Sequence, residues 1–498
     1  MEAAHAISRT ERLFVLFLCL LGAAHVFVFS AAFPFFSVAD EQMHFDLAVH
    51  YSQGEIPRTL VPASPESLPF LVIYGSPEYL GAAATQPGDN IPPWKQPVAR
   101  TRETLQAKQA AYRDIFKNHE AASPPLYYSL AGGWWRLARG LHLEGIQSLY
   151  WLRFMNVLLL GVLVWLGWLT AKIIFPESLF IRIAVPALAA FFPQSVFYAI
   201  NNDILAPLTF GLAFLLVFKF WEADAPSLRI AIATGLALAA SFLTKTSNLP
   251  LVLVAALFIA LKIVPLVWRG KLRTSLAPLL ALFITAGLPM AAWLAWCKMN
   301  FGDFTGSSLK IHFLNWTDQP SRYWLAHPLF TGHGLWYFLS KNLTTFWQGE
   351  QLWHRQPMSI PGVDSTYEVL TLGALAFTLA ALLRRASPFT TPQRLAVWFG
   401  LLCLAALLAF YAVLSIKFDF QDCFYPSRAL PYFVSGRLLL GALVPFLILF
   451  ACGLDRLMKK FDNSTKFFVL LAVLGFMLAS ELTIDWPVFA SPYNWFHL

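Results

Sequence analysis

Charged residues are scarce in this sequence. Asp, Glu, Lys and Arg make up 13% of the 498 residues, and hydrophobic residues make up 57%. A soluble domain carries roughly 25% charged residues, so the shortage excludes an ordinary soluble protein and indicates a polytopic protein that contacts the lipid bilayer. The formal net charge of +8 does not indicate a nucleic-acid partner, because the basic residues form short clusters between apolar segments.

Cysteine is scarce as well. The five cysteines lie mostly inside or at the ends of apolar segments, and their spacing does not match a metal-binding motif. We therefore predict no disulfide framework. Whether a divalent metal is held by other side chains is left open by the sequence.

Long apolar segments dominate the chain. The first, residues 13–33, contains no charged residue and is long enough to cross a bilayer at a rise of 1.5 Å per residue. We predict an all-α polytopic membrane protein, one membrane domain over residues 1–498, with about eleven transmembrane helices. The later spans are predicted at 153–171, 183–200, 204–218, 230–244, 247–261, 275–297, 369–383, 395–416, 438–452 and 467–480.

Residues 123–140 form one further apolar segment, with Arg136 and Arg139 in its last two turns. If this segment does not cross the membrane, 17 Lys and Arg residues of the N-terminus and the shorter loops lie on the cytoplasmic side, and if it does cross, the later loops invert and 15 of those 17 go outside. We therefore predict a helix in the outer interface, with the N-terminus cytoplasmic and the C-terminus outside. The outer face then receives a first large loop at 34–140, with interfacial helices, and a second at 298–366.

Acidic residues follow the first span directly. Asp40 and Glu41 are adjacent, and His44 lies one helical turn further on. Helical spacing predicts one interfacial helix at 40–54 and a second at 101–117. Carboxylates at the rim of a membrane helix can be ionised by water and still face a lipid-embedded site. Alternatively, they only mark the end of the hydrocarbon region.

Four motifs occur in order along the chain on the predicted outer face. They are Asp40-Glu41-x-x-His44-Phe45, Pro124-Pro125-Leu126-Tyr127-Tyr128, Asp203 at the end of the third span, and Ser435-Gly436-Arg437-Leu438-Leu439. Together they resemble the GT-C membrane glycosyltransferases, a superfamily that includes the lipid A aminoarabinose transferase and the protein O-mannosyltransferases. The motif after the first span is most similar to a bacterial branch of that superfamily. The resemblance covers the first 250 residues and the region 425–446.

The resemblance implies an activity. Such enzymes move a sugar from a polyprenyl-phosphate carrier to a glycan, lipid or protein acceptor on the outer face, which is periplasmic for a bacterial inner membrane. The resemblance implies that Asp40 is the catalytic base. Glu41 is the second catalytic candidate, and it could instead position the acceptor or His44. Arg437 and Lys245, at outer ends of spans, are candidates to bind the lipid phosphate. Alternatively, both cations only reach towards the membrane interface.

Other candidates for substrate binding are His44, His119, Glu120, Tyr127 and Asp203. Asp203 could bind a metal or the acceptor, or it could cap a helix. His119 and Glu120 could contact donor or acceptor, or they could be solvated loop residues. Two functional alternatives stay open: a glycan polymerase or ligase that uses a diphosphate-linked donor, and a transporter. The transporter is the weaker alternative, because the spans are nearly free of charge and no internal repeat is visible.

Overall fold

The computed structural model describes residues 9–36, 40–81, 91–268, 272–423 and 425–498. Helices account for most of these residues, and the short strands β1 (Thr317–Asp318), β2 (Leu352–Trp353), β3 (Gln356–Pro357) and β4 (Phe418–Asp419) form two antiparallel pairs, β1 with β4 and β2 with β3. The helices are α1 (Arg9–Ala32), α2 (Glu41–Ser52), α3 (Ser67–Tyr74), α4 (Val98–Ile115), α5 (Pro125–Gly140), α6 (Ile146–Arg153), α7 (Met155–Ile174), α8 (Leu179–Ala190), α9 (Ala206–Glu222), α10 (Leu228–Thr244), α11 (Leu249–Trp268), α12 (Leu272–Phe301), α13 (Ser307–Phe313), α14 (Gly332–Gln348), α15 (Pro361–Leu383), α16 (Thr391–Lys417), α17 (Leu443–Leu457) and α18 (Asn463–Phe489).

The eleven predicted spans correspond to eleven apolar helical segments, which confirms an all-α polytopic protein. Within the described ranges, nine segments are long and apolar enough to cross a membrane, and α8 and α10 are shorter apolar helices. The helix α5 belongs to neither group in that part of the chain, as expected if residues 123–140 do not cross. The nine are α1, Ile146–Ile174, Asn202–Glu222, Thr246–Pro265, Leu276–Phe301, α15, α16, Gly436–Leu457 and α18.

The helix α17 lies at the centre of the bundle. Every residue from Leu443 to Asp455 is buried, and α8, α9, α15 and α16 all pack against it. A helix that is apolar on all sides needs such an enclosed position, because no face of it prefers water.

The predicted span at 183–200 is helical only in its first part. The helix α8 ends before Pro193, and the chain beyond it turns inside the protein. Buried backbone outside a helix needs hydrogen-bond partners at membrane depth. Asn156 supplies two of them, because its Nδ2 donates to the carbonyl oxygens of Phe197 at 3.0 Å and Ala199 at 2.7 Å.

The loop at 34–140 is ordered by contact between α2 and α5. The predicted helices at 40–54 and 101–117 are confirmed as α2 and α4. Gly132 of α5 lies against the end of α2, where an added Cβ would come within 2.8 Å of the backbone nitrogen of Ser52. This close approach requires glycine, and it fixes α2 on the buried face of α5. Residues 37–39 and 82–90 of the loop lie outside the described residues.

The last span is longer than predicted and carries buried acids. The helix α18 continues past residue 480 and includes Glu481 and Asp485, both buried. Glu481 Oε2 lies 2.7 Å from His25 Nε2, and Tyr198 donates a hydrogen bond to Glu481. His25 Nδ1 lies 3.1 Å from the carbonyl oxygen of Ala190. The expectation that the spans are nearly free of charge is therefore wrong for α18.

Candidate active site

Several polar connections meet at one end of the bundle, around Arg437. This residue lies in the 3₁₀ turn that leads into α17. Its Nη2 lies 3.1 Å from Asp40 Oδ2, its Nη1 lies 3.3 Å from Asp203 Oδ2, and its Nε lies 4.0 Å from Glu350 Oε2. Lys245 forms an ion pair with the other oxygen of Asp203. We call Asp40, Asp203, Lys245, Glu350 and Arg437 the Arg437 cluster.

Asp40 directs its carboxylate towards this cluster instead of its own helix. It is the N-cap residue of α2, with φ 59° and ψ 21°, a left-handed conformation that Asp tolerates better than most residues. An Asp at this position usually accepts a hydrogen bond from the first turn. In α2, whose residues are all described, the Asp40 side chain makes no such bond. The partly exposed carboxylate therefore belongs to the cluster.

Neighbouring charges keep Asp40 ionised. Burial alone would raise its pKa, but the positive charges of Arg437 and Lys310 lower the pKa below its usual value. An ionised carboxylate that faces solvent on one side can accept a proton.

Asp203 does not cap a helix. The cap of its 3₁₀ turn is Asn201, whose side-chain oxygen accepts a hydrogen bond from the backbone nitrogen of Asp203 at 2.9 Å. The Asp203 carboxylate is almost fully buried and is shared by Lys245 and Arg437. The capping alternative is therefore wrong. Asp203 instead orients Lys245 and Arg437, the two cations that are candidates for phosphate binding.

A second charged group lies beside Asp40. His119 Nε2 is 3.7 Å from Asp40 Oδ1 and 3.8 Å from Glu120 Oε1. Glu120 pairs with Lys310 of α13 and accepts a hydrogen bond from Ser123. Burial, together with the charge of Lys310, lowers the pKa of His119. This histidine is therefore neutral at pH 7, and His119 and Glu120 are not solvated loop residues.

Asn118 holds His119 and Glu120 in this position. Its Nδ2 donates to Asp46 Oδ2 at 2.8 Å and to the carbonyl oxygen of Met43 at 3.0 Å, both on α2. Its Oδ1 accepts from the backbone nitrogen of Glu120 at 3.0 Å. The turn that carries His119 and Glu120 is thus attached to α2, which begins just after Asp40. This attachment explains why His119 and Glu120 face Asp40.

Asp40, His119 and Glu120 offer ligands of the right type for a divalent metal. Among the described residues they form a group in which one ligand atom from each lies within 4.8 Å of the others. Carboxylate oxygen and imidazole nitrogen suit several divalent ions. Arg437 and Lys310 already pair with the two carboxylates, so the group is neutralised by the chain itself. A metal bound there would have to displace these cations.

Glu350 lies in the second large loop, and it follows a helix, α14, that was not predicted. Gln194 caps the end of that helix, because its Nε2 donates to the carbonyl oxygens of Thr345 at 3.0 Å and Phe346 at 2.7 Å. Gly349 then turns the chain with φ +88°, where any Cβ would collide with Ser195. The turn aims Glu350 at Arg437. Burial raises the pKa of Glu350, although Arg437 opposes the shift.

His44 and Tyr127 lie beneath the site and are not exposed to it. His44 is buried, its Nδ1 is 2.7 Å from the hydroxyl oxygen of Tyr128, and burial lowers its pKa to about 4. Tyr127 is fully buried in α5 and packs edge-on against Tyr128. His44 lies on α2 and Tyr127 on α5, so both belong to the packing between these two helices, and the structure does not place either where it could touch a substrate.

Glu41 has a structural partner, which corrects the expectation that it works beside Asp40. Its two oxygens accept hydrogen bonds from Arg153 at 2.7 to 3.0 Å, and both side chains are buried. The same carboxylate accepts from the backbone nitrogens of Phe36 at 2.8 Å and Ile200 at 2.9 Å. Glu41 therefore ties α6 to the end of the first span, and it lies outside the Arg437 cluster.

The fold and the site define a polytopic all-α membrane protein with a charged cluster at one end of its bundle. The chain belongs to the family described as "Predicted membrane protein (DUF2142)", which it matches over residues 19–331. No curated protein matches the sequence.

Two solved structures of an archaeal oligosaccharyltransferase from Archaeoglobus fulgidus are similar to the chain. The first, AglB in complex with an inhibitory peptide and a dolichol-phosphate, has a TM-score of 0.45 at 12% identity and covers 98% of this chain and 56% of its own. The second, in complex with Zn and sulfate, has a TM-score of 0.36 at 14% identity and covers 74% of this chain and 44% of its own. The present chain thus spans about half the length of these proteins.

Proposed function

We propose that this protein is a GT-C-like membrane glycosyltransferase. It moves a sugar from a polyprenyl-phosphate-linked donor to a hydroxyl group of a glycan, lipid or protein acceptor on the outer face of the membrane. The observation that carries the proposal is the Asp40 carboxylate, which is ionised, partly exposed and influenced by two cations, Arg437 and Lys310, at the rim of the bundle. The four motifs that resemble the GT-C enzymes support it.

Asp40 acts as the base in this proposal. An acceptor hydroxyl is a poor nucleophile at neutral pH, so a carboxylate must take its proton as the new bond forms. The acceptor oxygen attacks the anomeric carbon, the bond from that carbon to the phosphate oxygen breaks, and its electron pair leaves with the lipid phosphate. His119 lies beside Asp40 and is neutral at pH 7, so it can hydrogen-bond the acceptor.

The leaving phosphate develops negative charge, which fixed cations stabilise. Arg437 offers two parallel donors for this purpose, and Lys245 offers a point charge. Lys310 is a third cation, partly exposed beside Asp40. When the donor phosphate pairs with Arg437, it replaces Asp40 as the partner of that guanidinium. The Asp40 carboxylate is then free to accept the proton of the acceptor.

The first test is Asp40→Asn in purified full-length protein, assayed with a panel of polyprenyl-phosphate sugars. Asn keeps the size of Asp but cannot accept a proton at neutral pH, so transfer should fall by about 10²- to 10⁴-fold. The matched control is Asp318→Asn, which removes an exposed carboxylate of the second large loop and should leave transfer unchanged. Thermal melting checks that both variants fold. Near-normal transfer by folded Asp40→Asn contradicts the assignment.

The buried acids of α18 favour a second candidate, a transporter. Ionisable groups inside a membrane span commonly mark an ion or substrate path, and His25, Glu481 and Asp485 lie within candidate spans. The same preparation distinguishes the two functions. A transferase converts the lipid donor in detergent, with no membrane gradient. A transporter accumulates solute in sealed vesicles under a proton gradient, converts no donor, and loses uptake in Glu481→Gln.

A further inference from the structure

A large groove lies at the end of the bundle opposite the Arg437 cluster. Its volume is about 1560 Å³, which exceeds the roughly 300–1,000 Å³ of typical small-molecule pockets. The helix α8 forms its floor, and α1 and α18 form its two walls. The groove runs along the first half of α1, whereas Asp40 lies beyond the last residue of that helix. It therefore occupies the opposite half of the bilayer from the proposed active site.

The walls and floor of the groove are apolar. Residues one helical turn apart line each helix, so each presents a continuous apolar stripe. At Gly475 on α18, an added Cβ would have no heavy atom of the described residues within 4 Å, so the groove is open there. The stripes consist of Phe14, Phe17, Leu18 and Leu21 on α1, Leu179, Ile183 and Ala187 on α8, and Leu470, Leu471, Leu474 and Leu478 on α18.

The groove is closed at the deep end of α8. Phe191 is its last lining residue there, and the ring of His25 lies 5.9 Å from the ring of Phe191. The contact between His25 and Glu481 joins α1 to α18 at this level. A ligand can therefore enter only from the bilayer or from the membrane surface at the other end.

The surface end of the groove carries more positive than negative charge. Arg182 and Glu11 pair closely, with Nη2 2.9 Å from Oε2 and Nε 3.1 Å from Oε1. The remaining charged lining residues are Arg12, which is exposed, Lys172, whose Nζ lies 5.1 Å above the ring of Trp168, and the exposed Glu177. A ligand that fits both regions has a long apolar part and an anionic head.

We propose that this groove binds one glycerophospholipid with an anionic headgroup. Its acyl chains lie along α8 between the walls, and its phosphate lies beside Arg12 and Lys172. A basic residue near the membrane surface contributes to the binding of an anionic lipid, and the apolar stripes add burial of the acyl chains. A free phosphate would leave the apolar part of the groove empty. The proposal is independent of the proposed transferase activity.

The test measures lipid retention by native mass spectrometry. Full-length protein in neutral detergent is incubated with phosphatidylglycerol or phosphatidylcholine of the same acyl composition. We expect one phosphatidylglycerol to stay bound at detergent levels that remove phosphatidylcholine. The double variant Arg12→Gln/Lys172→Gln should bind it about 30-fold more weakly, because two charge contacts are lost. Gly475→Phe, which fills the groove, should bind neither lipid.

Two matched controls decide the result. Arg384→Gln/Arg385→Gln removes two exposed cations from another predicted cytoplasmic loop, and Gly373→Phe adds the same ring on α15, where the described residues also leave the space open. Both controls should retain phosphatidylglycerol as the unchanged protein does. The proposal is overturned if both lipids are retained equally, if Gly475→Phe still binds, or if a control loses as much lipid as its test variant.

Discussion

Two neighbouring acids, Asp40 and Glu41, have opposite environments although they look alike in the sequence. Asp40 keeps a partly exposed carboxylate beside two cations, Arg437 and Lys310, whereas Glu41 is fully buried and paired with Arg153. The difference arises because Asp40 is the cap of α2 and Glu41 is its first helical residue, so their side chains leave the backbone in different directions. Sequence position alone could not separate them, because the partner Arg153 lies more than 100 residues away.

This contrast predicts different effects of two conservative substitutions. Glu41→Gln leaves the Arg153 charge buried without its counter-charge, which should lower the free energy of unfolding by about 3–5 kcal/mol. Asp40→Asn should lower the free energy of unfolding far less, because the Asp40 carboxylate is partly exposed to water. Thermal or denaturant unfolding in detergent measures both. As a control, Asp419→Asn breaks the exposed pair with Arg428 and should have little effect. Equal stability of the Glu41 and Asp419 variants would contradict the structural role.

The charge of Lys310 predicts a pH effect on transfer. Lys310 is one of the cations that hold the pKa of Asp40 below its usual value. Lys310→Gln removes that charge, so the pKa of Asp40 rises and the carboxylate becomes protonated at a higher pH. Because the base must be ionised, the acid limb of the transfer rate should move to higher pH. The measurement is the pH–rate profile of the variant against that of Lys298→Gln, which removes an exposed cation at the end of α12.

The position of the acid limb separates this role from phosphate binding. Loss of a phosphate contact alone lowers the plateau of the profile and leaves the limb in place. An unmoved limb in Lys310→Gln would show that Lys310 does not act on the base.

At the level of elements, the sequence was most informative where one physical signal dominates. Uninterrupted apolar segments predicted the membrane helices, since only a helix satisfies its own backbone in lipid. The predicted boundaries of a span were wrong where a second effect competes with the apolar pattern. The span at 183–200 is cut short by Pro193, and its freed carbonyl groups are bonded by Asn156, a contact that periodicity cannot show.

The elements of the second large loop could not be predicted. The helix α14 mixes polar and aromatic residues, and the sequence of this loop gave no clear helical period. The contribution of α14 to the Arg437 cluster depends on contacts with remote residues. Gln194 caps the end of α14, and Glu350, which follows α14, lies near Arg437. In the same way, Lys310 reaches Glu120 across 190 residues of sequence. The site residues found from sequence, such as Asp203 and Arg437, are those that end an apolar segment.

At the level of the whole molecule, the alternation of spans explains why one site forms from distant segments. Successive membrane helices run in opposite directions, so every second connection lies at the same end of the bundle. Asp40, Asp203, Lys245, Glu350 and Arg437 all belong to such connections, and their ion pairs show that these connections meet. The cations of the groove belong to the connections at the opposite end of the bundle. The two ends therefore carry different chemistry, a mixed cluster at one and an excess of basic residues at the other.

This alternation makes the orientation in the membrane testable with two cysteines. We expect a cysteine at Gly140, exposed at the end of α5, to react with a membrane-impermeant thiol reagent added outside intact cells. A cysteine at Ala386, exposed between α15 and α16, should react only after the membrane is opened. The five native cysteines are first replaced, and activity of that background is the control for folding. The positive-inside rule requires this pattern, since the loop of Ala386 carries Arg384 and Arg385. The reverse pattern would place the Arg437 cluster on the cytoplasmic face, where its donor would have to be presented from the inner leaflet.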